Sequence, residues 1–378
     1  MKRFLIVLYN YTTQIHFTKD PGAYAYSLSK YAGWDAEYAY FNKEKIRDNC
    51  FEKYCKLIYL GAEQDYNKEY LLVVEWFKEN IHNYDVLMLF NYGGNTYKTA
   101  NAAKKYNSHI KVYAKLDMNK NGFSHFYDGT LSRKIKAAIE IVKNRNIDLF
   151  TVENKYYFNV LNEEWPFRGR IKYLPNCVSL QKIDMKVLES IKKENIIITV
   201  GRLGDWHKHN ELLVEAIEHF SEDIKGKWKV YFVGPTTKAF DEYINKKLNG
   251  SEVLNEIICL KGPVMDRMKL YELYARSKIF VLTSRSESFG IAAIESMYFG
   301  CYPILTDYGT IVKDITNDGI YGDVISQNDC ELLADDIIKR MNDPDLILKG
   351  MEIKKYTRNN FSYEYWANRL SQYLSEEL

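Results

Sequence analysis

No stretch of this 378-residue sequence approaches the ~18 uninterrupted apolar residues that a membrane-spanning helix needs, so no segment is expected to cross a bilayer. The six cysteines (Cys50, Cys55, Cys177, Cys259, Cys301 and Cys330) are scattered without Cys-x-x-Cys or His–Cys spacing. That scatter argues against a disulfide framework or a zinc site and fits reduced thiols in the cytoplasm. No basic run and no nucleic-acid-binding module is present, so nucleic acid is not an expected partner. Solenoid-length repeats and low-complexity tracts are absent too. The opening, Met1 to Tyr9, begins like a signal peptide. Its apolar stretch ends at Asn10 and no small-residue cleavage site follows, so it reads as a first buried strand.

What is present is globular. Hydrophobic residues make up 46% against 27% charged, and the length suits two domains of roughly 150–200 residues. Tyrosine is abundant at 32 residues; its apolar ring and polar tip suit half-buried surfaces and sugar-contacting clefts, although compositional bias explains the count equally simply. The net charge of +2 is unevenly spread: residues 1–180 hold 26 Lys and Arg against 19 Asp and Glu, and the remainder is acidic. A basic first half fits a phosphorylated acceptor or an anionic membrane surface, hence a cytoplasmic protein that can be peripheral at the inner face of the membrane.

Apolar runs and amphipathic stretches alternate along the whole chain. Strands are predicted at 4–9, 37–41, 57–60, 85–90, 111–116, 148–152 and 171–174, with helices between them. Pro175-Asn176-Cys177-Val178 marks a change of domain, and a second series runs from Ile196 to the helix at 330–341. The pattern predicts an α/β protein of two doubly wound, Rossmann-like domains, 1–178 and 179–361, with the terminal helix 362–378 able to rejoin the first. Ser362 is a candidate N-cap of that helix. A helix at 131–145, apolar at 131, 135, 138, 139 and 142 with a basic opposite face, is expected to pack on the sheet rather than on a membrane.

Two stretches carry chemistry. Strand 279–283 feeds Ser284-Arg285-Ser286-Glu287-Ser288-Phe289-Gly290-Ile291, and a helix follows that contains Glu295. Gly290 and Ile291 stand at the helix mouth, where unpaired N–H groups and the helix dipole favour a phosphate. Glu287 and Glu295 bracket the turn; each alone also reads as an ordinary solvated carboxylate. In the second stretch, Val200-Gly201-Arg202-Leu203-Gly204-Asp205-Trp206-His207-Lys208, a glycine ends a strand and two cations follow before a helix. Arg202 can grip a diphosphate bidentately and Lys208 supplies a point charge.

Glu287 to Glu295 resembles the E-x7-E signature of the retaining, family-four glycosyltransferases of the GT-B fold, and the Gly201-Arg202-Leu203…Lys208 stretch is similar to that family's diphosphate-binding segment. The resemblance implies a metal-independent, hexosyltransferase-type enzyme with no cofactor beyond its substrate, a UDP-sugar or alternatively a GDP-sugar. It implies a nucleotide-sugar donor on the second domain and a glycan or lipid-linked acceptor over the first, in bacterial surface polysaccharide or glycoconjugate synthesis. Arg202 and Lys208 would bear the leaving diphosphate, Glu287 the donor-sugar hydroxyls and Glu295 the ribose. Val264, in Lys261-Gly262-Pro263-Val264, would lie in the loop that holds the base. Gly22 is similar to the family's glycine-containing loop after the first strand, although one glycine stands where two are usual. Asp117, at the end of Lys115-Leu116-Asp117, would face the cleft where many members carry a histidine; His125 is a loop alternative. At the crossover Cys177 and Ser179 replace the Gly and Asp of the family's Pro-Asn-Gly-Val-Asp. Asp343-Pro344-Asp345 is a formal DxD but reads as structural, with Pro344 at the first position of a helix behind an Asp cap. His207-Lys208-His209 lacks a third metal ligand. A nucleotide-sugar epimerase and a non-catalytic sugar-nucleotide-binding subunit are the alternatives.

Overall fold

A computed structural model of the chain describes residues 1–91, 93–118, 132–163 and 167–376. His125 lies outside the described residues. The chain divides into two compact units, unit 1 comprising Met1–Gln181 with Ser362–Leu378, and unit 2 comprising Lys182–Phe361. Relative to the boundary expected after residue 178, residues 179–181 stay with unit 1. Val178 bridges in parallel to Ser362, and the Gln181 side-chain amide donates to the Phe17 carbonyl at 2.8 Å.

Unit 1 is built on seven strands, β1 (Arg3–Tyr11), β2 (Asp35–Phe41), β3 (Cys55–Gly61), β4 (Val86–Phe90), β5 (Lys111–Lys115), β6 (Leu149–Val152) and β7 (Ile171–Tyr173). They pair in parallel in the order β3-β2-β1-β4-β5-β6-β7. Successive side chains of a strand point to opposite faces, so a sheet covered on both sides needs apolar residues without interruption. In β1, Phe4 and Ile6 enter one core with Tyr24 and Tyr38, while Leu5 and Val7 enter the other with Phe77 and Val112. The helix Gly22–Ala32 ends at Gly33, whose φ of 72° lets its N–H reach the Leu28 carbonyl.

The terminal helix Tyr363–Ser375 packs on unit 1 through Leu370, Tyr373 and Leu374, and Trp34 donates from Nε1 to Ser371 Oγ at 2.8 Å. Lys111 Nζ donates to the carbonyls of Leu374 and Glu376 at that helix's carboxyl end, where a cation is favoured. Ser362 occupies the N-cap position but makes no capping side-chain bond. The helix Ser132–Lys143 departs from expectation. Ile139 and Val142, assigned to sheet packing, are 48% and 62% exposed. Among the described residues no helix is long and apolar enough to cross a membrane.

Unit 2 holds six strands, β8 (Glu194–Val200), β9 (Lys229–Val233), β10 (Ile258–Gly262), β11 (Ser277–Leu282), β12 (Tyr302–Thr306) and β13 (Asp323–Ile325). All pair in parallel, in the order β10-β9-β8-β11-β12-β13. Successive strands therefore run outward from β8 on one side and, after a return, outward from β11 on the other. The reversal leaves a crevice beyond the carboxyl ends of β8 and β11, the place where open α/β sheets take ligands. The helix expected to begin at Pro344 runs over Leu346–Asn360, with Asp345 at its N-cap position. Pro344 is therefore not the first residue of that helix. Asp343 instead accepts from Lys349 Nζ at 2.5 Å and from Arg340 Nη1 at 3.3 Å, so the formal DxD is tied into side-chain ion pairs.

Candidate functional site

The crevice of unit 2 is shaped first by glycine. Beyond β8 and β9 the backbones of Gly201 and Gly234 come so close that a Cβ on Gly234 would lie 1.7 Å from the Gly201 carbonyl oxygen, and Gly234 has a φ of 143°. Gly201 donates its N–H to the Val233 carbonyl at 3.0 Å. Arg202 follows, 67% exposed in its side chain and paired with Asp205 at 2.8 Å. The turn continues to Lys208, whose aliphatic stem runs along Gly201, and whose carbonyl accepts from Thr283 Oγ1 at 3.0 Å. The segment after β8 is thereby fastened to the end of β11.

Lys208 and Glu287 form an ion pair at 2.5 Å, and Ser284 Oγ donates to the same Glu287 oxygen at 2.6 Å. The residues that the sequence assigned to a phosphate and to a sugar thus hold each other at the crevice wall. Arg285 Nη1 donates to the Trp206 carbonyl at 2.9 Å and its guanidinium lies over the Trp206 ring, a second tie between the two strand-end loops.

The helix Ile291–Tyr298 starts from Gly290 at a φ of 90°, with no side chain capping its first N–H groups. A Cβ on Gly290 would lie 2.7 Å from the Tyr308 hydroxyl, so space as well as conformation requires glycine. Burial, with the Glu287 charge nearby, pushes the Tyr308 phenol well above its ordinary range, and no hydrogen-bond partner meets its hydroxyl oxygen. An uncapped helix start beside Arg202 and Lys208 can receive an anionic oxygen.

Glu295 lies on the second turn of that helix and is 4% exposed. It is not free: the Arg267 guanidinium donates to its carboxylate and also to the Tyr271 hydroxyl. Burial by itself would lower the Arg267 pKa, but the Glu295 carboxylate, joined by the Tyr271 and Tyr274 phenols, raises it overall. Arg267 was missed in the sequence. Its only signal is its place at the start of the helix Arg267–Arg276, just after the loop carrying Val264 and the N-cap Asp266. Val264 itself is half-buried in that loop, beyond Gly262 at the end of β10.

The remaining site residues belong to unit 1. Asp117 is exposed, just past β5. Lys115, two residues earlier, is buried. It is 1% exposed and paired with Asp20 at 2.8 Å, and its amine also reaches Asn176 Oδ1 at 3.2 Å. Burial opposes its charge, but Asp20 and Glu153 keep its pKa raised. Glu153, unnoticed in the sequence, is fully buried; its Oε1 accepts the Met118 N–H at 2.9 Å while Oε2 has no partner. Burial pushes its carboxyl up to about 8 against the pull of Lys115, with Asp117 adding to the rise. Gly22 is also buried. A Cβ there would lie 2.4 Å from the His16 carbonyl oxygen, so a protein backbone contact already requires the glycine.

Residues 181–360 match the family described as glycosyl transferases group 1. The match covers unit 2 and just under half of the chain. Over 196 residues it is 27% identical to GalNAc-alpha-(1->4)-GalNAc-alpha-(1->3)-diNAcBac-PP-undecaprenol alpha-1,4-N-acetyl-D-galactosaminyltransferase of Campylobacter jejuni, covering 51% of this chain and 49% of that one. The chain thus spans about half the length of that relative. Among solved structures, sucrose-phosphate synthase from Thermosynechococcus elongatus superposes with a TM-score of 0.71 at 16% identity, covering 98% of each chain. Anabaena HepE, solved with UDP and glucose, superposes with a TM-score of 0.68 at 13% identity, covering 99% of this chain and all of that one. At such identities the structural likeness establishes the GT-B fold. The matched segment holds Arg202, Lys208, Arg267, Glu287 and Glu295.

Proposed function

We propose that this glycosyl transferase moves a sugar from a nucleotide-diphosphate sugar to a glycan or lipid-linked hydroxyl acceptor, with retention at the anomeric carbon and without an essential metal. The observation that carries the reading is the crevice beyond β8 and β11, where the loop bearing Arg202 and Lys208 is tied through the Lys208–Glu287 pair to the turn that opens the 291–298 helix. As the anomeric C–O bond breaks, negative charge grows on the diphosphate. Cations and helix N–H groups already in place stabilise that charge without reorganisation. Lys208, held by Glu287, which Ser284 in turn holds, is oriented before the donor arrives. Glu295, steadied by Arg267, offers a carboxylate oxygen to ribose hydroxyls.

HepE, solved with UDP and glucose, supports UDP as the base-bearing half of the donor, and the Campylobacter relative, named for an undecaprenol-diphosphate-linked acceptor, supports a lipid-linked acceptor. Such an acceptor fits synthesis of bacterial surface polysaccharide on the cytoplasmic face of a membrane, with the basic first half meeting anionic lipid.

The test incubates the protein with UDP- and GDP-sugars and a polyprenyl-diphosphate-linked glycan in phosphatidylglycerol vesicles, with and without EDTA. Release of one nucleoside diphosphate matched by a lengthened, α-linked glycan supports the proposal, and EDTA should leave the rate unchanged. A sugar nucleotide isomerised without nucleotide release would refute transfer, and activity lost to EDTA and restored by manganese would refute metal independence.

A further inference from the structure

At the amino-terminal edge of the unit 2 sheet, opposite the donor crevice, lies a cavity of about 130 Å3. That is several times the roughly 30 Å3 share of one liquid water. Its charged lining comes from Lys193 just before β8, Lys278 in β11, and Lys354 and Glu189. Glu189, the carboxylate among them, is already paired with Arg358 at 2.7 Å. Its charge also acts on Lys354, but among the described residues none of the three ammonium groups lies within ion-pair distance of a carboxylate. Lys193 donates to the carbonyls of Ser277 and Tyr274 at 2.5 and 3.1 Å, and Lys278 donates to Asn195 Oδ1 at 2.6 Å. Among the described residues no hydrogen bond or ion pair engages Lys354. Burial lowers the pKa of both Lys193 and Lys354, and the Lys354 charge adds to the fall at Lys193. The rest of the wall is apolar, including Leu188, Ile191, Phe299 and Met351. Met351 is 63% exposed, so apolar surface continues to solvent.

We propose that this cavity binds a small anion carried on a short apolar chain, as an alkyl phosphate monoester would present. Mutually repelling, part-buried cations with neutral acceptors are relieved by an incoming anion. The apolar wall then discriminates a chain-bearing anion from a bare, strongly hydrated one.

The site is connected to the donor crevice through two helices, and this consequence rests on the function proposed above. Ala275, in the last turn of the 267–276 helix, lines the cavity, and Arg267 at its first turn holds Glu295. Phe299 and Gly300, also in the lining, follow the 291–298 helix, whose start forms the donor cradle. An occupant touches the far ends of both, so its binding and UDP binding are coupled by the same factor in each direction.

The experiment titrates the full chain with hexyl phosphate, inorganic phosphate and hexanol by calorimetry, for wild type and for Lys354→Gln, a half-buried site change that leaves the core intact. The expected result is saturable hexyl phosphate binding at least tenfold tighter than either half-molecule alone, weakened at least fivefold in Lys354→Gln. Phosphatidylglycerol vesicles that displace hexyl phosphate would assign the head group to a lipid; vesicles that do not would assign it to a soluble ester. Non-saturable binding, equal affinity in the variant, or mutually exclusive binding with UDP would overturn the site. Hexyl phosphate binding with unchanged UDP affinity would overturn the coupling. Failure of UDP to bind at all refutes the donor reading without touching the hexyl phosphate result.

Discussion

Replacing Arg267 with Met removes the strut beneath the donor cradle. Arg267 is the cation paired with Glu295, a carboxylate only 4% exposed, and it also serves the buried Tyr271 hydroxyl. Met keeps most of the volume, so the loss is electrostatic. Breaking a buried pair from one side strands the other charge and costs about 3–5 kcal/mol, well above the ~1 kcal/mol of the phenol hydrogen bond. For a folding unit of about 150–250 residues each kcal/mol lowers Tm by roughly 2–4 °C, so the transition of unit 2 should fall by about 6–20 °C. Scanning calorimetry of wild type, Arg267→Met, Glu295→Leu and the double variant measures both the cost and the coupling. Apolar replacement of both partners should recover much of the loss, because no charge is then left buried. A fall below 2 °C in Arg267→Met, or strictly additive single effects, would refute the argument that Arg267 holds Glu295 in place.

Two further outcomes follow from other parts of the molecule. Gly234→Ala places a Cβ 1.7 Å from the Gly201 carbonyl oxygen at a backbone φ of 143°, so unit 2 should lose about 3 kcal/mol or more in urea denaturation; a loss within 0.5 kcal/mol would contradict the close approach. Glu153 has a folded-state pKa of about 8, above the ordinary 4.5, so its proton stabilises the fold fully below pH 4.5, and that contribution is lost as pH rises to about 8. Unit 1 should therefore be more stable at pH 5 than at pH 8, and Glu153→Gln, neutral and still able to accept the Met118 N–H, should flatten that slope; an unchanged slope would remove Glu153 as its source.

Much of the framework was legible because buried parallel strands need unbroken apolar runs, which is how β1, β4, β8 and β11 were read. The strand–turn–helix at 277–298 and the loop after β8 were legible for the same reason, with glycine and charge placed at strand ends. β13 and the extent of the last helix of unit 2 were not. β13 has three residues, and the Leu346–Asn360 helix carries Gly350 at its centre, which breaks the helical pattern. That glycine is required: a Cβ there would meet the Gly300 carbonyl oxygen at 2.6 Å. The pairings Lys208–Glu287, Arg267–Glu295 and Lys115–Asp20 were hidden for a different reason. Each joins residues 28 to 95 positions apart, and nothing in local spacing reports which charges the fold brings together.

The central claim is that UDP binds unit 2 through Arg202 and Lys208. Its most direct test is a thermal-shift titration with UDP on wild type, Arg202→Ala and Lys208→Ala. A ligand that binds only the folded state contributes about 2.7 kcal/mol at a hundredfold excess over Kd. The account predicts a clear rise in Tm for wild type at saturating UDP, reduced in both variants while their ligand-free Tm stays within a few degrees. An equal rise in all three proteins would contradict it.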